Sequence, residues 1–367
     1  MQNIIDYVET TFSSFEEAPF SPVDSLVLSQ FSYIRFSAML SPLSSERKTL
    51  RIGELLQSEH FQDMFYGVRD IESNKRLLFA LAASPRYRTI EVGYYVDEFE
   101  CKQEKQFAAM TFFFAENQAY IAFRGTDATF IGWKEDFNMA FISPVPAQEE
   151  ALSYLEMVGN HYTGRLLVGG HSKGGNLAVY ASINAPSELQ DRIQQVFSHD
   201  GPGFKDKVFD SEGFKRMSAK IHRTLPQSSL IGMLMENQGS YQVVASNRFG
   251  LMQHDPFSWK IEHGEFCILS HISASAQFAD RTLNDWLENC SIEKRETFID
   301  SLFYVISSTE ATTFSEFNAD WKKNLPAMAS RAKSLDPETR TEVLKILKTL
   351  AKVALKNLSH PARTPKA

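Results

Sequence analysis

The stretch Val168-Gly169-Gly170-His171-Ser172-Lys173-Gly174-Gly175-Asn176 separates two apolar segments of different periodicity. Residues 166–168 lead into it as a short buried strand that ends at Val168, and residues 177–183 follow it as the apolar face of a helix. This pattern places Ser172 in a sharp turn from strand to helix, where glycines are needed because a Cβ would collide with strand or helix. Such a nucleophile elbow is typical of acyl transfer. A glycine-rich turn with Ser172 as the helix N-cap is the alternative.

The composition is that of a globular protein with no bias towards nucleic acid. The 367 residues are 43% hydrophobic and 23% charged, which predicts two domains, or one domain with large additions. The net charge of -7 gives no overall attraction to nucleic acid or to an anionic membrane. Residues 1–17 do not resemble a secretory signal, and no stretch is long enough to be a transmembrane segment. We therefore expect a cytoplasmic location.

The three cysteines do not suggest a metal centre. Cys101, Cys267 and Cys290 are an odd number and lack the spacing of metal ligands. We expect reduced and mostly buried thiols. No motif in the chain implies a metal or a cofactor.

The distribution of apolar residues divides the chain into three parts. Residues 1–88 are predicted to form a helical N-terminal cover, because apolar residues from Val23 to Ile34 recur at helical spacing. Residues 89–274 are predicted to form an α/β core, which the motifs described below identify as α/β-hydrolase-like, since strand-like runs alternate with helical stretches. Those runs are residues 90–96, 107–114, 119–123, 195–198, 220–223 and 241–244. The alternation predicts a mostly parallel sheet with helices on both faces.

Residues 275–367 are predicted to form a C-terminal helical region. Thr313 and Glu316 have the spacing of a capping box, and Asp336-Pro337 is typical of a helix start. Apolar residues from Val343 to Val353 share one face of the last helix, and lysines share the other. We favour a core-facing stripe with a solvated lysine face. Peripheral contact with a lipid surface is the alternative.

A serine nucleophile requires a base, and nine histidines compete for that role. His254 is favoured, because Gln253-His254-Asp255-Pro256-Phe257-Ser258-Trp259 has the proline and aromatic residues of a rigid loop. His171 is expected to pack or to form hydrogen bonds around the elbow. His199 is expected to point away from its neighbour Asp200. His263 and His271 remain alternatives, since they lie late in the α/β part.

Asp200 is the favoured acid of the site. It follows the strand-like run 195–198, so its carboxylate is expected at the carboxyl edge of the sheet. Asp255 is a poorer candidate, because side chains adjacent in sequence usually diverge. An ordinary turn aspartate before Gly201 is the alternative interpretation of Asp200. The resulting order of serine, aspartate and histidine is that of an α/β-hydrolase.

The oxyanion donors are expected from two backbone amides. Lys173 follows the nucleophile, and Thr126 lies in the segment Phe123-Arg124-Gly125-Thr126-Asp127 at the end of an earlier strand. A polar turn is the alternative interpretation of this segment. Arg124 is expected to be structural and to pair with a carboxylate such as Asp136.

Three motifs together resemble the class 3 triacylglycerol lipases. They are residues 123–127, the tryptophan-acid stretch Trp133–Asp136 and the elbow at residues 170–175, and the resemblance extends over about residues 107–259. Asp200-Gly201-Pro202-Gly203-Phe204 and residues 253–259 resemble more closely a bacterial lipase-like α/β-hydrolase family of mostly unknown function. The resemblance implies an α/β-hydrolase fold and a lipase-like site.

Two features depart from the class 3 pattern. Class 3 lipases have an acid after the next strand, whereas residues 225–232 contain no carboxylate. The position of Asp200 is similar to that of the acid in pancreatic-type lipases. Lys173 stands where many lipases have an apolar residue, and a cation there opposes the helix dipole. We expect Lys173 to pair with an acid such as Asp127 or to meet an anionic group of the substrate.

These features predict a serine hydrolase that cleaves carboxylic esters through an acyl-enzyme. The expected partner is a small-molecule or lipid ester substrate. A thioesterase or peptidase on the same triad is an alternative, because the elbow does not identify the leaving group. A non-catalytic binding or regulatory protein with a decayed site is another, motivated by the missing class 3 acid. The oligomeric state does not follow from the sequence.

Overall fold

The computed structural model describes residues 2–40, 49–100, 105–115, 117–126, 144–204, 208–229, 231–233, 240–248, 250–273, 301, 304–305 and 330–341. Its helices are α1 (Ile4–Thr10), α2 (Pro22–Phe31), α3 (Phe61–Met64), α4 (Ile71–Ala83), α5 (Pro146–His161), α6 (Lys173–Asn184), α7 (Ser187–Arg192) and α8 (Glu212–Met217). Its strands are β1 (Leu50–Arg51), β2 (Glu91–Glu100), β3 (Lys105–Phe114), β4 (Gln118–Phe123), β5 (Arg165–His171), β6 (Ile193–His199), β7 (Ile221–Pro226), β8 (Gln242–Val244), β9 (Ile261–Glu262), β10 (Glu265–Phe266) and β11 (Ile268–Leu269).

Within these ranges, nine strands form one sheet in the order β1-β2-β3-β4-β5-β6-β7-β8-β11, and β9 pairs with β10 separately. The strand-like runs predicted from the sequence coincide with β2, β3, β4, β6, β7 and β8. Strands β4 to β8 are parallel. The turns that follow β4, β5, β6 and β7 therefore emerge at the same edge of the sheet, where sites of α/β proteins form.

The sheet is mixed, so the expected parallel pairing holds only in its centre. Each of the strands β1 to β4 is antiparallel to its neighbour in this group, and β11 is antiparallel to β8. For β2, β3 and β4 the physical reason is the short connection between successive strands, because a parallel pair needs a long crossover whereas a short turn produces a hairpin. Strands β3 and β4 are joined by such a turn, in which Ala115 and Asn117 have φ values of 50° and 65°.

Both faces of the sheet are buried, as the alternation along β4 shows. Tyr120 and Ala122 belong to the core that includes the N-terminal helices. Ala119, Ile121 and Phe123 belong to the core on the other face, which includes residues of α5 and α6. Successive side chains of a strand point to opposite faces, so helices on both sides are needed to cover this apolar strand.

The N-terminal helices share a hydrophobic core with the sheet. Leu26 and Phe31 of α2 lie in the same cluster as Phe112 of β3 and Phe197 of β6. This part of the chain also contributes strand β1, which pairs with β2 at the edge of the sheet. The division of the chain at residues 88 and 274 stays a prediction.

A buried ion pair joins helix α2 to the residues that follow α4. Arg86 Nη2 lies 2.7 Å from Asp24 Oδ2, and both side chains are almost fully buried. Tyr87 donates a hydrogen bond to the same carboxylate, and Arg86 Nη1 donates to the carbonyl oxygens of Ser13 and Ala18. Every carboxylate oxygen is thereby paired, which is the condition under which a buried charge is tolerated.

Little of the predicted C-terminal helical region falls within the described residues. Residues 337–341 are helical, and Asp336 Oδ1 accepts hydrogen bonds from the backbone N–H groups of Glu338 and Thr339 at 3.2 and 3.0 Å. The predicted helix start at Asp336-Pro337 is therefore confirmed. The capping box of Thr313 and Glu316 and the amphipathic residues 343–356 lie outside the described residues.

Candidate active site

Ser172 occupies the turn between β5 and α6, as the glycine pattern predicts. Its φ of 59° and ψ of -133° are unusual for a residue with a side chain. The turn is held by Ser172 N, which donates to His199 O at 2.9 Å, and by Gly175 N, which donates to Ser172 O at 2.9 Å. Ser172 stands at the N-cap position of α6, but its side chain makes no capping hydrogen bond, so capping does not account for the hydroxyl.

Gly174 lets the elbow lie directly against the sheet. A Cβ at this position would clash with the carbonyl oxygen of Phe123, which is a backbone atom at the end of β4. A clash with backbone cannot be relieved by rotating a side chain. The glycines of the motif therefore serve close approach.

Ser172, His254 and Asp200 form a continuous line of hydrogen bonds. His254 Nε2 lies 2.8 Å from Ser172 Oγ, and His254 Nδ1 lies 2.6 Å from Asp200 Oδ2. The three residues are 6%, 8% and 1% exposed, respectively. A carboxylate accepts a hydrogen bond from Nδ1–H, which leaves Nε2 as the acceptor for the serine hydroxyl. This arrangement matches the geometry required of a nucleophile, its base and an orienting acid.

The carboxylate of Asp200 has further partners that the sequence did not indicate. Its Oδ1 accepts hydrogen bonds from Ser229 Oγ and from Gly232 N, the latter at 3.2 Å. Both donors come from residues 225–232 after β7, the segment that lacks the class 3 acid. The sequence offered one sign of these contacts, because the segment after β7 and Asp200 after β6 both follow parallel strands and so lie at the same edge of the sheet. Here the segment supplies donors to an acid that follows β6.

The loop of His254 is held rigidly. The indole Nε1 of Trp259 donates to the carbonyl oxygen of Gln253 at 2.8 Å. Asp255 pairs with Arg248 and accepts a hydrogen bond from Phe257 N at 3.0 Å. Asp255 is thus engaged away from the imidazole of His254.

His171 supports the elbow and the base at once. Its Nε2 lies 2.8 Å from the carbonyl oxygen of His254, and its Nδ1 lies 3.2 Å from Tyr33 Oη. Burial, and next the positive charge that His254 can carry, hold the pKa of His171 well below its ordinary value. The neutral ring therefore donates from Nε2 to the carbonyl and accepts at Nδ1.

The other candidate histidines do not reach Ser172. His199 Nδ1 lies 2.6 Å from Thr224 Oγ1, and its Nε2 lies 2.9 Å from Ser25 Oγ of α2. Burial lowers the pKa of His199 to about 3. His199 points away from the carboxylate of Asp200, as expected. His263 and His271 are exposed.

The predicted oxyanion segment passes against the elbow. A Cβ at Gly125 would lie 2.6 Å from His171 O and 3.1 Å from Ser172 Cβ, so only glycine allows this approach. Thr126 follows Gly125 and is partly exposed. Lys173 is the first residue of α6, and amides in a first helical turn have no partner within the helix itself.

The side chains of Lys173 and Arg124 are turned into the protein. Lys173 is 1% exposed, and its Nζ donates to Gln106 O at 2.9 Å. Arg124 pairs with Asp97 of β2 through two hydrogen bonds. Burial raises the pKa of Asp97, but the Arg124 charge and hydrogen bond outweigh it and lower the pKa below its ordinary value. Asp127, Asp136 and the stretch Trp133–Asp136 lie outside the described residues.

No cluster of three or more His, Cys, Asp or Glu in the described ranges is suited to a metal ion. In the same ranges, no helix has the length and hydropathy needed to cross a membrane. Cys267 is a free, half-buried thiol, and the other two cysteines lie outside the described residues.

Several solved lipase structures are similar to parts of this chain. An M37 lipase is 15% identical, with 58% of this chain and 70% of that chain covered and a TM-score of 0.35. A propeptide complex of the Rhizomucor miehei lipase is 14% identical, covering 59% and 76%, with a TM-score of 0.36. The Lip2 lipase of Yarrowia lipolytica is 12% identical, covering 51% and 76%, with a TM-score of 0.34. Similarity this weak carries no conclusion about activity.

No curated protein matches the sequence. A family model does match, and it agrees with the lipase-like family expected from the motifs. Residues 81–304, more than half of the chain, match the model of the Mbeg1-like family. The matched range includes Ser172, Asp200 and His254, and the chain belongs to the Mbeg1-like family.

Proposed function

We propose that the protein is a serine hydrolase that cleaves carboxylic esters through an acyl-enzyme. Ser172 Oγ attacks the ester carbonyl while His254 Nε2 takes its proton. Asp200 holds the imidazole in the required tautomer and stabilises the imidazolium that forms. His254 then protonates the leaving alkoxide. In the second half of the reaction, His254 takes a proton from water, the water attacks the acyl carbonyl, and Ser172 Oγ leaves with the proton that His254 returns.

The oxyanion is assigned to the backbone amides of Thr126 and Lys173. Support comes from the close passage of Gly125 along Ser172 and from the position of Lys173 at the start of α6. Loss of one oxyanion donor typically reduces kcat about 100-fold to 1000-fold. The Lys173 side chain is not part of this assignment.

The observation that carries the proposal is the pair of contacts made by one imidazole. A distance of 2.8 Å to Ser172 and one of 2.6 Å to Asp200 give His254 both of the partners that a general base needs. These partners lie 82 and 54 residues away along the chain. A decayed site has no physical requirement to retain both contacts together with the strained φ of Ser172.

The substrate class is an ester of a carboxylic acid, either a small molecule or a lipid, acted on in the cytoplasm. The triad acts on the acyl group, and esters, thioesters and amides share that group. Esters are preferred over thioesters in the proposal because the family is lipase-like, and over amides also because an alkoxide is a better leaving group than an amide anion. Turnover of an ester, a thioester and an anilide with the same acyl chain ranks the three leaving groups directly.

Labelling by a fluorophosphonate probe tests the proposal. We expect the wild type to be labelled, Ser172→Ala not to be labelled, and His254→Ala and Asp200→Asn to be labelled far more slowly. Ser153→Ala is the matched control, because this exposed serine of α5 bonds only its own helix at Glu149 O. Turnover of p-nitrophenyl esters should follow the labelling. A folded wild type that neither labels nor turns over esters contradicts the proposal.

A further inference from the structure

A cavity distinct from the triad lies between α6 and α8, on the face of the sheet that these helices cover. Its volume is about 210 Å3. Its apolar wall is formed by Val179, Phe204, Phe209, Phe214 and Ile221. Ser172, Asp200 and His254 are all described by the structure, and none of them lines this cavity.

Arg223 is the charged residue among the described residues that line the cavity. Its Nη2 donates to Gly232 O at 3.0 Å, and its buried Nη1 has no hydrogen-bond partner. No described carboxylate forms an ion pair with it. Burial lowers the pKa of Arg223 to about 10, although Asp200 and then Tyr241 act in the opposite direction. The guanidinium remains a cation at neutral pH, yet a buried donor lacks an acceptor, which is costly and uncommon in native proteins.

The two ends of the cavity differ in polarity. Val179 and Phe204 are almost fully buried and form its inner wall, whereas Ser218 and Ser240 are exposed and mark the side open to solvent. A ligand can therefore enter from solvent without passing the triad. An apolar pocket with one fixed polar group is the usual design of a small-molecule site.

The volume limits the size of the ligand. An engineered apolar cavity of about 150 Å3 holds benzene, and drug-sized ligands occupy about 300 Å3 or more. A cavity of about 210 Å3 lies between these limits. It suits an alkyl chain of roughly six to eight carbon atoms with a carboxylate group.

We propose that this cavity is a binding site for a short-chain carboxylate, an alkanoate whose carboxylate pairs with Arg223 and whose chain packs against Phe204, Phe209 and Phe214. The carboxylate supplies the acceptor that Nη1 lacks and an anionic charge in direct contact with the guanidinium. The alkyl chain fills the space between α6 and α8. The proposal does not depend on catalysis by Ser172.

Binding of octanoate tests the site directly. Carboxyl-labelled octanoate is titrated into the Ser172→Ala protein and followed by carbon NMR and by calorimetry, so that no turnover interferes. We expect saturable binding, a shift of the carboxyl resonance, and weaker binding of the uncharged octanamide. Arg223→Gln should weaken octanoate binding at least about tenfold, since it removes a charge-assisted pair. The matched control is Arg216→Gln, because Arg216 is an exposed arginine of α8 that pairs with Asp191 outside the cavity.

A second variant keeps the test decisive if Arg223→Gln does not fold. Ser218→Trp adds a large side chain at the open side without altering the core, and it should abolish octanoate binding. Absence of binding to the Ser172→Ala protein overturns the proposal, and so does binding that neither variant weakens. Ester turnover is measured separately on the wild type. Octanoate binding without ester turnover would support this site and contradict the proposed hydrolase. Ester turnover without octanoate binding would support the hydrolase and overturn this site.

Discussion

The imidazole of His171 lies beside that of His254, with 4.6 Å between the ring centroids, and its Nε2 is 2.8 Å from the carbonyl oxygen of His254. The residue before the nucleophile thus holds the backbone of the base. Because burial keeps His171 neutral, it adds no second positive charge beside an imidazolium at His254. His171 is therefore a positioning residue in the proposed mechanism.

Replacing His171 with phenylalanine tests this role. The ring remains, but the hydrogen bond to the His254 carbonyl is lost. We expect kcat for a p-nitrophenyl ester to fall about tenfold to 100-fold with little change in KM. The reason is that the position of His254 relative to Ser172 is disturbed, whereas substrate binding is not. Tyr33→Phe is the control, since it removes the hydroxyl beside Nδ1, leaves the hydrogen bond from Nε2 to the His254 carbonyl in place and should have the smaller effect. An unchanged kcat in a folded His171→Phe protein would contradict the positioning role.

Ser229→Ala removes the side-chain donor to Asp200 Oδ1 and leaves the Gly232 amide in place. A carboxylate with fewer hydrogen bonds is held less firmly against the imidazole of His254. We expect kcat/KM to fall about tenfold. Ser228→Ala is the matched control, because the Ser228 hydroxyl lies 3.0 Å from Ser273 Oγ instead. Equal values of kcat/KM for the two variants would rule out this role of Ser229.

Lys173→Met separates a structural role from contact with substrate. The buried ammonium donates to Gln106 O, so its loss leaves that carbonyl oxygen short of a donor. We expect the free energy of unfolding to fall by about 1 to 3 kcal/mol, measured by chemical denaturation. The ratio of kcat/KM for an anionic and a neutral ester should stay constant. A change in that ratio would indicate that the ammonium meets the substrate after all.

Gly174→Ala should prevent the elbow from forming. The added Cβ meets the backbone carbonyl of Phe123, and we expect a loss of at least about 3 kcal/mol in the free energy of unfolding, or no folded protein. Gly159→Ala in α5 is the control, since the three atoms nearest to its Cβ all belong to the flexible side chain of Leu189, the nearest being Cδ1 at 2.6 Å. Thermal unfolding monitored by circular dichroism compares the two.

Stability should decrease on acidification because His199 is buried in its neutral form. The folded pKa of about 3 lies below the unfolded value of about 6.5, so the unfolded state binds the proton first. The stabilisation is complete above about pH 6.5 and is lost progressively as the pH falls towards 3. We expect His199 to account for about 2 kcal/mol of the decrease in unfolding free energy between pH 7.5 and 5.

Chemical denaturation at both pH values checks this expectation. His199→Gln should show a correspondingly smaller decrease between the two pH values. His263→Gln, at an exposed turn, should retain the wild-type decrease. Identical decreases in all three proteins would contradict the assignment to His199.

The strands, the elbow and the helix start at Asp336 could be predicted because their signals are local. Alternating or continuous apolar runs report which residues of one segment are buried, and glycines around Ser172 report a tight turn. The favoured histidine and aspartate could be named because each lies next to a recognisable strand or rigid loop. That these two residues meet Ser172 was an expectation from the sequence, because no local pattern reports contacts between distant segments.

Tertiary structure alone decided the pairings between distant segments. It set Arg124 against Asp97, turned Lys173 towards Gln106 and placed Ser229 on Asp200. It also made the sheet mixed. Such pairings depend on strand order, register and loop path, and residues far apart in sequence have no common periodicity that reports them. The sequence therefore determined where a serine, an imidazole and a carboxylate are presented, and the fold determined which of them meet.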